Sequence, residues 1–160
     1  MRVFLDTPES HGDPVPSPLE DADVKETLTP LAVFAIWTML VATVVGLTRF
    51  AMFFGKKWTY NDIKPGAEHG PRWYASLNRV FINSVEGFAL FAPAVMAHAL
   101  VSVQGAAAVN PLVLTLSWVV VGARALYTVY YTATGYNIGC SFIWLAGFVP
   151  NLVIWLLLFV

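Results

Sequence analysis

Four long apolar stretches dominate this chain of 160 residues, and from Gly87 to the C-terminal Val160 the only formally charged side chain is Arg124. A helix that crosses a bilayer needs about 20 predominantly apolar residues, and inside the hydrocarbon its backbone N–H and C=O groups must satisfy one another. With 58% hydrophobic and 12% charged residues, the chain lacks the polar surface that a soluble domain of this size requires. The expected class is an all-α integral membrane protein with enough length for one four-transmembrane-helix bundle.

The N-terminal stretch differs in kind. Up to Thr29 it carries Asp6, Glu9, Asp13, Glu20, Asp21, Asp23 and Glu26 against only Arg2 and Lys25, interspersed with Pro8, Pro14, Pro16 and Pro18. Such a composition cannot bury enough apolar surface to offset its ordering entropy, so residues 1–29 are expected as a flexible acidic tail and 30–160 as the membrane domain. The positive start and apolar middle of a secretory signal are missing, which leaves the first spanning helix as the insertion signal.

The spans are expected at about 30–54, 74–104, 111–132 and 139–160. Thr29 and Asn110 read as caps, with Pro30 and Pro111 at first helical positions, where a missing N–H removes no intrahelical bond. The second span has a purely apolar run only from Phe88 to about Val103, too short to cross, so its helix must begin near 71–76. That extension draws Arg79, Asn83 and Glu86 into the helix. Pro93 and Pro150 are expected to bend their helices, Asn151 to answer a carbonyl freed by Pro150, and His98 to hydrogen-bond inside the bundle.

Short cytoplasmic loops carry an excess of Lys and Arg. The first connection holds Lys56, Lys57, Lys64 and Arg72, whereas Ser102 to Asn110 is uncharged, which places the first and third loops in the cytoplasm and both termini outside. The membrane itself, a bacterial inner membrane or an endoplasmic reticulum, is not specified. Arg49 at the end of the first helix, Arg79 to Glu86 at the start of the second and Arg124 to Tyr131 at the end of the third then share one leaflet. An ionised group near the middle of a lipid-facing helix costs about 2.5–3.5 kcal/mol on insertion scales, so these residues are expected to face a partner or a watery cleft.

Their spacing supports that reading. Arg79, Asn83 and Glu86 stand at i, i+4 and i+7, and Arg124, Tyr127 and Tyr131 at i, i+3 and i+7, so each set forms a stripe on one helix face. Guanidinium groups suit carboxylates, an amide suits a backbone-like amide, a carboxylate suits an ammonium, and phenols suit a developing anion. A zwitterionic peptide cofactor would satisfy all of them. Structural alternatives are an interfacial anchor for Arg79, an ion pair of Glu86 with Arg124 or Arg79, and an aromatic belt for Tyr127, Tyr130 and Tyr131.

The segments NRVFINSVEGF, Asn78 to Phe88, and GARALYTVYYTATGYNIGCS, Gly122 to Ser141, resemble the membrane-associated proteins in eicosanoid and glutathione metabolism, which include the microsomal glutathione transferases. The likeness covers about Ala35 to Leu158. It implies a four-helix bundle assembling as a homotrimer, with glutathione bound between subunits near the cytoplasmic face. Arg79, Asn83 and Glu86 would be glutathione contacts, with Arg49, Arg124 and Tyr127 as further binding candidates. The family's transferases place an arginine near the start of the fourth helix to stabilise the glutathione thiolate; here Cys140 occupies that place, with Ser141 beside it. A thiol is only a few per cent ionised at neutral pH without a cationic neighbour, so Ser141 and Tyr131 become the candidate donors to the sulfur.

The expected activity is that of a glutathione transferase or peroxidase acting on lipophilic electrophiles or hydroperoxides that arrive through the membrane lipids. The alternatives are a non-catalytic subunit of a larger membrane complex, and an ion or proton pathway along Glu86 and His98. A net charge of −1 gives no sign of nucleic-acid binding, and a single cysteine with no clustered histidines excludes a disulfide framework and argues against a zinc site. No phosphate loop or nucleophile elbow is present.

Overall fold

The computed structural model describes residues 18–59, 72–104 and 110–160. The acidic residues before Pro18, Lys64 in the basic connection, and the small residues Gly105 to Ala108 lie outside the described residues. Four helices make up the rest: α1, Pro18–Phe54; α2, Arg72–Val103; α3, Pro111–Thr134; and α4, Ile138–Leu156. Each is long and apolar enough to cross a membrane. Among the described residues there is no strand.

The helix starts show where local sequence signals prevail. Asn110 caps α3 as expected, its side chain accepting from the Leu112 N–H at 2.9 Å with Pro111 in the first turn. Asn137 caps α4 in the same way, accepting from the Cys140 N–H at 3.2 Å. α2 begins at Arg72 and takes in Arg79, Asn83 and Glu86, as the short apolar run requires.

α1 differs from expectation. It starts at Pro18, so residues 18–29 are helical and Pro30 lies inside the helix rather than opening it. Thr29, expected as a cap, instead donates its hydroxyl to the Lys25 carbonyl at 2.7 Å. An internal proline removes one backbone bond, to the carbonyl four residues earlier, while acidic residues in a helix's first turns complement its positive end. Pro18 at the start sacrifices nothing.

α2 and α3 form the centre. α4 packs chiefly on α3 and α1 chiefly on α2, with α1 also meeting α3 and α4 meeting α2. Phe34 of α1, Phe91 and Val95 of α2, Val113 and Val120 of α3 and Ile154 of α4 are buried together in one apolar cluster. A second cluster, Val41, Val45, Tyr74 and Leu77, joins α1 to α2, and a third, Val80, Tyr127, Tyr131 and Cys140, joins α2, α3 and α4. The outward faces are also apolar: Ile36, Met39, Leu47, Phe50, Leu126, Val129, Phe142 and Leu152 are exposed. An apolar surface of that extent is stable only against lipid or another subunit.

α2 and α4 run through Pro93 and Pro150 without interruption. Near their far ends two side chains tie them together. His98 donates through Nε2 to the Ile154 carbonyl at 2.9 Å, meeting the expectation of a hydrogen bond inside the bundle, and Trp155 Nε1 donates to the Leu90 carbonyl at 2.9 Å. Asn151 is buried, and its Oδ1 has no partner among the described residues.

Candidate functional site

The site lies where α2 begins, α3 ends and α4 begins, and its shape depends on the turn between the last two. Gly135 ends α3 with φ of 74°, a left-handed conformation that favours glycine, and its N–H bonds the Tyr131 carbonyl. Arg72, at the start of α2, donates to the Thr134 carbonyl at 2.9 Å and packs so closely that a Cβ on Gly135 would sit 2.6 Å from its Nη2. Asn137 then starts α4, whose first turn carries Cys140 and Ser141. The Cys140 thiol donates to the Gly135 carbonyl at 3.3 Å, and the Ser141 and Tyr136 hydroxyls are 3.3 Å apart.

These elements enclose a cavity of about 460 Å³. α2 lines it with Arg79 and Asn83, α3 with Tyr127 and Tyr131, the connecting turn with Tyr136, and α4 with Cys140, Ser141 and Trp144. The size falls within the roughly 300–1,000 Å³ range of small-molecule sites. Arg79, Tyr136, Ser141 and Trp144 are exposed, so the cavity is open beside the starts of α2 and α4, where Trp144 stacks on Phe148 with ring centroids 4.9 Å apart.

The lining is arranged to donate. Asn83 Nδ2 donates to the Tyr127 phenol oxygen at 3.0 Å, which leaves the Tyr127 O–H to donate elsewhere. Tyr131 is 6% exposed, its ring centroid 5.4 Å from that of Tyr127, and its hydroxyl has no hydrogen-bond partner among the described residues. Among the described residues of this lining, Arg79 carries a formal positive charge. A guanidinium with phenol and hydroxyl donors suits an anionic ligand.

Five of the expected residues therefore come together: Arg79, Asn83, Tyr127, Tyr131 and Ser141. Burial also takes Tyr127 and Tyr131 out of an interfacial belt. Three expected binding residues do not line the cavity. Arg49 is held on the other side of α2, donating through Nε to the Tyr74 hydroxyl and through Nη2 to Asn78 Oδ1, each at 2.7 Å. It braces α1 against α2. Glu86 faces outward from the single chain.

Arg124 is inside the bundle, 5% exposed, wedged between two glycines. A Cβ on Gly87 of α2 would lie 2.9 Å from its Cζ and Nη2, and one on Gly147 of α4 would lie 3.5 Å from its Nε. Its Nε and Nη1 are buried with no hydrogen-bond partner among the described residues. An uncompensated buried cation is costly, so this one needs the field of the nearby Glu86 or a partner that the single chain does not supply.

Sequence reasoning passed over Tyr136 and Trp144 as lining residues. Trp144 stands three residues after Ser141 on α4, a spacing that shares a face, whereas Tyr136 is positioned by the turn alone.

A bundle of four apolar helices with a polar, donor-rich cavity at one end defines a multi-pass integral membrane protein. The sequence model of the MAPEG family, the membrane-associated proteins in eicosanoid and glutathione metabolism, matches residues 27–160. The chain belongs to that family. No curated protein and no solved structure gives a significant match.

Proposed function

We propose that the cavity binds glutathione and presents its sulfur to a lipophilic electrophile or hydroperoxide that arrives laterally from the bilayer. The observation that carries this reading is the convergence of Arg79, Asn83, Tyr127 and Tyr131 on one cavity whose exposed rim includes Trp144 of α4. Arg79 pairs with a glutathione carboxylate, and the Tyr127 O–H, with its oxygen already accepting from Asn83, donates to the sulfur or to an amide carbonyl. Tyr131 and Ser141 are further donors at the α4 end. The membrane family and the outward position of Glu86 support a homotrimer in which Glu86 meets a neighbouring subunit and reaches the glutathione ammonium. The basic first connection orients this end toward the cytoplasm, with both termini outside.

Titration calorimetry of the detergent-purified oligomer with glutathione tests the reading. Saturable binding at about one site per chain is expected, weakened more than tenfold in Arg79→Ala with oligomer size unchanged, because a hydrogen bond to a charged group contributes about 1.5–3 kcal/mol. Absence of binding up to millimolar glutathione overturns it. A second reading draws on Cys140, which stands in the cavity where the family's transferases carry an arginine. A subunit that binds the ligand without turning it over, within a larger membrane complex, predicts the same isotherm and no conjugation of any electrophile tested.

A further inference from the structure

Cys140 is 1% exposed, yet its side chain forms part of the cavity wall. Its S–H is directed to the Gly135 carbonyl, which leaves the sulfur lone pairs on the remaining sides. It sits in the first turn of α4, three residues past the Asn137 cap, where the backbone N–H groups of a helix start favour negative charge. Arg79 lines the same cavity. A second feature points to a ligand at this spot: Tyr131, more than nine-tenths buried and packed in one cluster with Cys140, contributes to the wall a hydroxyl without a partner among the described residues. With no partner among the described residues, that hydroxyl can donate to a molecule that enters the cavity.

We infer that Cys140 is a covalent capture site, at which glutathione disulfide bound in the cavity exchanges with the protein thiol to leave Cys140 as a mixed disulfide with glutathione. This rests on the reading of the cavity as a glutathione site. The step is a thiol–disulfide exchange. The Cys140 thiolate attacks one sulfur of the disulfide, a new S–S bond forms to Sγ, and the original S–S bond breaks. Its electron pair departs on the second glutathione as a thiolate, which takes up the proton that Cys140 released. One disulfide is consumed and one is made, so no further oxidant is needed. Arg79 holds a carboxylate of the bound disulfide and so sets its position against Sγ, the Tyr131 hydroxyl donates to the sulfur anion, and the second glutathione leaves past the exposed Tyr136 and Trp144. The product fills the cavity and excludes free glutathione. The ratio of oxidised to reduced glutathione thereby sets whether the site is open.

The experiment uses the full-length protein as its oligomer in detergent, and intact-mass spectrometry after incubation with glutathione disulfide at neutral pH. Because the chain has one cysteine, a mass gain of one glutathionyl group reports on Cys140 alone. The expected result is stoichiometric addition, reversed by dithiothreitol and slowed by excess S-methylglutathione, which occupies the cavity without a free thiol. Cys140→Ser gains no mass. Arg79→Ala and Tyr131→Phe each react about tenfold more slowly than the parent, while hydroxyethyl disulfide, which needs no binding site, discriminates little between variants and parent. Calorimetry of the parent with reduced glutathione is run alongside. Reversible binding without the adduct overturns the capture inference and leaves the glutathione site standing; absence of both overturns both. An adduct that forms equally fast with hydroxyethyl disulfide and is indifferent to S-methylglutathione also overturns it.

Discussion

Replacing Gly87 by alanine should force α2 and α3 apart at the cavity. The new methyl would stand 2.9 Å from Arg124 Cζ and Nη2 and 3.1 Å from Nε, where ordinary carbon contacts are about 3.5–4.0 Å. The guanidinium must therefore retreat by roughly 0.6–1 Å, and its one direction of relief is toward Gly147, whose missing side chain leaves space on the opposite wall. Overpacking of this kind costs about 1–3 kcal/mol. Helix propensity acts in the other direction, since alanine within a helix is better than glycine by about 0.5–1 kcal/mol. The net expectation is a loss of about 1–2 kcal/mol, read from detergent-solubilised protein unfolded by heat or denaturant and followed by tryptophan fluorescence. The decisive comparison is the same substitution in an Arg124→Ala background. There the clash is gone and propensity alone acts, so Gly87→Ala becomes neutral or stabilising. A coupling of at least about 1 kcal/mol between the two sites is required; agreement of the two backgrounds within about 0.5 kcal/mol refutes the wedge. Asn83 precedes Gly87 by one turn on α2, and Tyr127 follows Arg124 by one turn on α3. Gly87→Ala should accordingly strain the Asn83–Tyr127 bond and weaken glutathione binding, whereas Gly46→Ala, with nothing near its would-be Cβ, should leave binding unchanged.

Other expectations follow from single contacts. Arg49→Met removes the bonds to Tyr74 and Asn78 and leaves both partners unsatisfied, so stability should fall by about 2–4 kcal/mol in a thermal melt, with a smaller effect on glutathione affinity than Arg79→Ala. Gly135→Ala combines a left-handed backbone position with a Cβ 2.6 Å from Arg72 Nη2; a loss of about 1–3 kcal/mol, and a shift of Ser141 away from the cavity seen as weakened ligand binding, should result. Trp155→Phe keeps an aromatic ring but loses the donor to Leu90 and part of the packing surface, which should cost about 1–2 kcal/mol in unfolding assays without changing affinity at the distant cavity.

Much of this architecture can be read from residue order because hydropathy and caps are local. Asn110 before Pro111 marks the start of α3 unaided, and the shortness of the apolar run after Phe88 is enough to place Arg79, Asn83 and Glu86 inside α2. Pro30 misleads for an equally local reason: it is compatible with a first turn, but a long helix tolerates it, and nothing in its neighbours signals that the helix already began at Pro18. For the site, i, i+4, i+7 spacing correctly groups Asn83 with Arg79 and Tyr127 with Tyr131. It fails for Glu86, which faces outward from the chain, and for Arg124, whose setting is made by the absence of side chains at two glycines far apart in the chain; Arg49, grouped by depth alone, is drawn instead to Tyr74 and Asn78 on the other side of α2. A stripe of polar residues identifies a helix face; which neighbour covers that face depends on packing between helices.

The ties from His98 to the Ile154 carbonyl and from Trp155 to the Leu90 carbonyl have a mechanical consequence. The His98 tie lies 15 residues along α2 from Asn83 and 13 along α4 from Ser141, a lever of roughly 20 Å at 1.5 Å per residue, and the Trp155 tie meets α2 nearer the cavity, seven residues from Asn83. With that end pinned, relative tilting of the two helices has its fulcrum near His98 and its largest displacement at the cavity mouth. A tilt of a few degrees would widen the gap between Asn83 and Ser141 by an ångström or so while the far apolar cluster stays closed. The bundle is thus built like a pair of forceps, able to admit a bulky guest at its tips without loosening at the joint.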